Sequence, residues 1–295
     1  MTENRKAMFA ALASSLGFVT NDTLVKLAAA ELPAGQIIVW RGAMATTLLF
    51  LLAAATGSLR SWRTLADTAM VLRIAAAVAS TILIVLSLAA LPLPIVNAVL
   101  QLTPLSVTAG AALYFREHVG WMRWAAALTG FIGVLMIIRP GGSSLGPLAW
   151  LPLVALIFTT LRDLSTRAIP RDVPTLFAAA ATSAAITAAG LVFWPFETWV
   201  ATPSMASIAY LAAAALALCV GYSAIVMAMR TGEVAVIAPF RYISIPISLA
   251  FGYWIWGDIP DTLAFAGITL ILLTGLAATL IEARGSRSVQ RRAHG

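Results

Sequence analysis

Three polar residues, Asn21, Asp22 and Lys26, interrupt an apolar run that extends from Met8 to Ala30. Lys26 follows Asp22 by four residues, one helical turn, in the order that favours an ion pair. An ionisable group at membrane depth is costly, so it faces a cavity or a partner and marks a candidate functional site. Arg41, beside Trp40, and Arg241, beside Tyr242, are further cations inside apolar runs. Asn97 and Gln101 lie one turn apart on one helix face, and unpartnered amides there would cost several kcal/mol. They therefore meet a cavity ligand or another helix, and the cavity is the reading favoured here. A ring next to a guanidinium suits stacking on a flat polar cargo, and Tyr222 can join from a later run. These residue types offer recognition more than bond-making chemistry. Gly141-Gly142-Ser143-Ser144 is too short for a phosphate cradle and lacks a lysine, and no charged cluster at one interface suggests group transfer. An integral-membrane enzyme is therefore a distant alternative.

The elements that must position these groups are membrane helices. The 295 residues are 61% hydrophobic and only 11% charged, with a mean hydropathy of +0.93. A soluble domain carries about 25% charged residues. One cysteine, Cys219, excludes an internal disulfide and a multi-cysteine metal site, and His118 and His294 fall in a loop and a tail. No metal or cofactor is expected. Arg5 and Lys6 ahead of an apolar run imitate a secretory signal, but Asn21 and Asp22 interrupt that run and no convincing cleavage pattern follows.

Ten apolar stretches are predicted as spans: 8–30, 34–56, 71–91, 94–115, 119–138, 149–169, 174–194, 204–228, 234–256 and 261–281. Each break carries turn chemistry, from Thr56-Gly57-Ser58 to Asp258-Ile259-Pro260. With a cytoplasmic N-terminus, fifteen of the nineteen basic residues fall on the cytoplasmic side. They run from Arg5, Lys6, Arg60, Arg63 and Arg73 to Arg284, Arg287, Arg291 and Arg292. Adding or removing one span would scramble that alternation. The charge of +7 is thus a topology signal for an inner-membrane chain with both termini cytoplasmic, and no nucleic-acid partner is expected. The tryptophans Trp62, Trp121, Trp124, Trp150, Trp194, Trp199, Trp254 and Trp256 lie near predicted interfaces, where indoles anchor.

The pattern occurs twice. An offset of 141 takes Asp22 to Asp163, Lys26 to Arg167, Glu31 to Asp172 and Pro33 to Pro174. An offset of 142 takes Pro104, Ser106, Gly110 and Gly133 to Pro246, Ser248, Gly252 and Gly275. Five spans per copy is an odd number, so the second copy enters the membrane from the opposite side. The expected architecture is all-α, ten transmembrane helices as two inverted five-helix repeats, 8–140 and 149–282, with a basic cytoplasmic tail over 283–295. Inverted repeats are common in secondary transporters, with the substrate near the midplane between them. By helical rise, Asp22 and Arg41 each lie about four residues, roughly 6 Å, outward of their span centres. An Asp22–Arg41 pair is predicted on the outer half of a cavity, and Asp163 with Arg241 at comparable depth on the inner half. Pro104, Pro239 and Pro246 are predicted to bend spans four and nine and to act as hinges.

On these residues the chain resembles the EamA branch of the drug/metabolite transporter superfamily. The resemblance rests on Asn21-Asp22 with Lys26, Gln36 through Arg41-Gly42, Thr103-Pro104-Leu105, Arg116-Glu117 and Gly130 through Gly133 to Arg139-Pro140-Gly141. In the second half it rests on Leu161-Arg162-Asp163 to Arg167 and on Ala238-Pro239-Phe240-Arg241-Tyr242. It covers nearly the whole chain, and departs at Gly257-Asp258, where a glutamate is more usual. The resemblance implies ten helices, a central cavity and a small organic cargo, with amino acids, S-adenosylmethionine, riboflavin and drug-like compounds among those carried by similar proteins. Riboflavin uptake is the favoured reading, because ring-bearing residues flank the cavity arginines and carriers that the chain resembles take up flavins. Export of an amino acid or its derivative, or S-adenosylmethionine carriage, is the alternative. A proton as coupling ion and a second copy of the chain are the remaining candidate partners.

Overall fold

The computed structural model of the chain describes residues 2–57, 67–116, 120–139, 146–169, 173–231 and 240–293. The described residues are helical throughout apart from turns. They form α1 (Thr2–Ala28), α2 (Ala34–Ala55), α3 (Thr68–Ala90), α4 (Leu93–Leu100), α5 (Thr103–Tyr114) and α6 (Trp121–Ile138). After a short 3₁₀ turn at Pro147–Trp150 come α7 (Leu151–Ala168), α8 (Thr175–Leu191), α9 (Met205–Thr231), α10 (Ser244–Trp256) and α11 (Thr262–Ala293). Each predicted apolar stretch has its helix. Among the described residues eight are long and apolar enough to cross a bilayer, and α8 supplies a shorter one. The protein is an integral membrane protein of ten spans in two inverted repeats.

Span four differs from its expected form. It is two helices, α4 and α5, separated by a turn at Gln101-Leu102. Pro104, at the second position of α5, has no N–H to give Leu100, and its ring disfavours helix at the preceding residue. The Thr103 hydroxyl donates to the Leu100 carbonyl instead. Span nine repeats the device. Residues 240–241 are helical, Tyr242-Ile243 form a turn, and α10 begins at Ser244 with Pro246 in its first turn. The Ile245 N–H takes the Tyr242 carbonyl that Pro246 cannot reach. The two prolines interrupt their spans where a bend was predicted. Pro239 and Glu117 lie outside the described residues, as do Arg60, Arg63, Arg171 and Asp172. At the end of the chain α11 runs on to Ala293, so the tail expected at 283 continues the last helix without a break.

The chain packs as two compact units, and neither is a sequence half. One comprises residues 1–19, 92–146 and 220–295; the other comprises 20–91 and 147–219. In the second unit α2 packs on α8 and α3 on α7. In the first, α4 packs on α10 and α6 on α11. There too the start of α1 meets the end of α9, through Ala7, Ala10, Ala11 and Ala228, and Phe18 lies edge-on to Tyr222 at 5.3 Å. In span numbers the pairs are two–seven, four–nine, five–ten, three–six and one–eight. Exchanging the repeats, span one for six and so on, maps these five pairs onto one another, alongside further contacts of α3 on α8 and of α4 on α11. That closure is the structural signature of the duplication. Small residues permit the close approaches, as is usual between membrane helices. A Cβ added to Gly267 would lie 2.5 Å from the Gly133 carbonyl oxygen.

Candidate functional site

In the second unit the end of α1 meets the first half of α2. Arg41 is buried, and its Nη1 donates to Asn21 Oδ1 at 3.0 Å. Asn21, also buried, donates from Nδ2 to Asp22 Oδ1 at 3.0 Å. Asn21 thus bonds both to Arg41 and to Asp22, the two residues predicted to pair. Its orientation follows from charge, with the oxygen toward guanidinium and the nitrogen toward carboxylate. Hydrogen bonds to ionised groups are about twice as strong as neutral ones. Lys26, one turn on, donates from Nζ to the carbonyls of Leu88 (3.2 Å) and Leu91 (2.6 Å). Those carbonyls end α3 and have no helical donor, so the ammonium caps the negative end of that helix. Trp40 is half-buried beside Arg41.

Asp163, the repeat counterpart of Asp22, is half-buried on α7. It accepts from Arg162, whose Nε and Nη2 both lie 2.8 Å from Oδ1. One turn earlier Thr159 is buried, with its hydroxyl lacking a partner among the described residues.

The other candidates belong to the first unit and gather at the two interrupted spans. Gln101, in the turn between α4 and α5, donates from Nε2 to the Arg241 carbonyl and to the Ser244 hydroxyl. Ser244 donates in turn to the Arg241 carbonyl at 3.0 Å. Asn97 is buried and donates to the Leu93 carbonyl of its own helix at 3.3 Å. Both amides therefore have protein partners, and Gln101 ties one broken span to the other. The Arg241 side chain is exposed. Tyr242, expected to stack on cargo beside it, is only 2% exposed and presses against Gly275 of α11, where a Cβ would sit 2.2 Å from the ring. Tyr222 is 44% exposed against Phe18.

The structure adds a set of contacts at the opposite end of the second unit, between the α1–α2 turn and the α8–α9 crossover. Glu31 accepts from Ser204 N (2.7 Å), Ser204 Oγ (2.5 Å) and Ser207 Oγ (2.5 Å), which caps the N-terminus of α9. Glu197 accepts from Gly35 N at 2.9 Å and caps α2 in return. Gln36 both donates to and accepts from the Val200 backbone at 2.9 Å. The Ser204 and Ser207 hydrogen bonds hold the Glu31 carboxyl below its ordinary range. In the first unit, Asp261 is likewise lowered, first by the Ala264 N–H and then by Arg139. At the other end of the second unit Arg73 binds the Thr166 hydroxyl (3.0 Å), the Ala178 carbonyl (3.3 Å) and the Thr182 hydroxyl, joining α3 to α7 and α8. A serine at the head of an apolar run, as at Ser204, is a readable cap signal. Its partner, Glu31, is too distant in sequence for any spacing rule.

Comparison with known proteins shows what the chain is similar to. Residues 5–139 match the EamA-like transporter family, in agreement with the resemblance read from the sequence. A riboflavin transporter of Vibrio cholerae is 28% identical over 67% of this chain and 67% of its own length. A pseudopaline exporter of Pseudomonas aeruginosa is 26% identical over 92% and 95%. An S-adenosylmethionine uptake transporter of Rickettsia conorii is 24% identical over 59% and 58%. A solved crystal structure shares the fold, with a TM-score of 0.68 and 17% identity over 94% of this chain and 98% of its own. The relatives are named as transporters of small molecules, which points to transport and away from enzymatic activity, and the chain is a multi-pass membrane protein.

Proposed function

We propose that this EamA-like chain is a secondary transporter of the inner membrane, both termini cytoplasmic, that imports riboflavin by alternating access. The observation that carries alternating access is the closed set of span pairs under repeat exchange. Two copies of one fold, inserted oppositely, can each adopt the shape of the other and so open a site to either side. The Asp22–Asn21–Arg41 chain is the candidate coupling element, with Asp22 as the carboxylate that takes a driving proton. Arg41 with Trp40 is the candidate contact for a flat polar cargo. Riboflavin is supported by the transporters of that name in Vibrio cholerae and in Rhizobium johnstonii, the second 26% identical over 69% of this chain.

A second reading has its own observation. The pseudopaline exporter aligns over nearly the full chain, farther than either riboflavin transporter, and supports a reading of export instead of import. Expression in a riboflavin auxotroph separates the two. Import predicts growth on low riboflavin and saturable uptake of labelled vitamin that collapses with the proton gradient. No growth and no uptake, with the protein present in the membrane, would overturn the riboflavin reading.

A further inference from the structure

The α8–α9 crossover is not built as a water-exposed loop. α8 holds 17 residues, Thr175–Leu191, or about 26 Å at the helical rise, against a hydrocarbon core of about 30 Å. The chain makes up the difference with consecutive tight turns. Val192, Phe193 and Trp194 N–H groups bond back to Ala189, Gly190 and Leu191, and Phe196 and Glu197 bond back to Phe193. These turns sort their side chains. Phe193 faces inward, where a Cβ on Gly35 would lie 2.4 Å from its own Cβ. Val192, Trp194 and Phe196 face outward and are 65%, 63% and 81% exposed. Trp199 folds back, its ring 4.8 Å from that of Trp194, and its indole nitrogen is enclosed without a partner among the described residues. It props Trp194 from behind.

The same crossover is fastened at three points to the α1–α2 turn, by Glu197 on Gly35, Val200 on Gln36 and Ser204 on Glu31. An apolar plate fixed rigidly by polar contacts on its inner side does not collapse to hide itself. It follows directly in sequence on Leu191, the exposed apolar last residue of α8. We infer that Val192, Trp194 and Phe196 form an interfacial anchor seated in the phospholipid leaflet opposite the chain termini, at the level of the glycerol and headgroups. Aromatic rings are at home there, and an apolar face of this kind is buried by about 5–10 Å. Through the three fastenings, the depth of this leaflet sets the position of the α2 and α9 N-termini. The inference holds whatever the cargo.

A nitroxide on Phe196→Cys, in a Cys219→Ala background reconstituted into phospholipid vesicles, tests it. Collisions with oxygen should exceed those with a water-soluble nickel chelate several-fold, whereas a label on the exposed Thr202→Cys should show the reverse. Nickel access at position 196 equal to that at 202 would place the plate in water and overturn the inference. Strong dipolar coupling between labels on separate molecules would also overturn it, by showing a second copy covering the plate. Trp194→Cys reads the same surface should the first variant fail to fold.

Discussion

Two carboxylate-centred networks in the second unit use similar chemistry in opposite surroundings. Asp22, Asn21 and Arg41 lie within the spans, with the amide and the guanidinium buried. Glu31, Ser204 and Ser207 lie at the helix ends, and the Glu31 side chain is exposed. Water can replace any partner of Glu31 at little cost. Nothing comparable stands ready for Arg41, so each of its contacts must be supplied by protein or cargo. On the proposed function, the inner network is where a change of ligand or proton would be felt, and the outer one is a fastening.

Arg41→Ala should give the largest effect. Breaking a buried ionic network by removing one partner costs about 3–5 kcal/mol, read as a large drop in thermal stability of the purified protein. Asp22→Asn keeps the shape and a hydrogen-bonding oxygen. It should leave membrane levels near normal while abolishing uptake, the split expected of a coupling residue. Normal uptake in both Asp22→Asn and a well-expressed Arg41→Ala would leave the network a purely structural role. Gly35→Ala comes next. Its Cβ would lie 2.4 Å from Phe193 Cβ and 2.7 Å from Glu197 Oε2, so the crossover must lift, at about 1–3 kcal/mol for overpacking. Lys26→Met should cost less, about 0.3–2 kcal/mol for a cation lost from a helix C-terminus, and thermal unfolding reads both. A loss for Lys26→Met as large as that for Arg41→Ala would mean the ammonium does more than cap α3.

The ten spans were legible because apolar runs alternate with turn residues and with the side carrying the arginines. The duplication was legible because Asp22 and Asp163, and Pro104 and Pro246, recur at the nearly equal offsets of 141 and 142. What could not be read was azimuth. Depth along a helix puts Asp22 level with Arg41, but only the packing of α1 on α2 inserts Asn21 between them. The same limit hid the burial of Tyr242: its neighbour Arg241 suggested a shared cavity, yet consecutive residues on a turn point apart, and Gly275 offered a slot for the ring. The break in span four turned on one detail, the Thr103 hydroxyl replacing the N–H that Pro104 lacks. The reciprocal caps at Glu31 and Glu197 depend on which distant turns meet, and no local pattern encodes that.

The smallest expected effect tests the outer network by its pH dependence. Hydrogen bonds from Ser204 and Ser207 hold the Glu31 carboxyl below its ordinary value in the folded protein. A carboxyl lowered on folding contributes stability that is fully present above its unfolded pKa and is lost as pH falls through the folded one. Glu31→Gln should therefore lower the unfolding temperature slightly at neutral pH. The gap to the parent protein should close on acidification to below the ordinary glutamate range. The residue is exposed, so the gap should be small. A gap that stays constant with pH would assign the effect to the lost geometry of the cap. One as wide as that for Gly35→Ala would break the contrast between the two networks, because an exposed carboxylate would then be worth as much as a tightly packed seat.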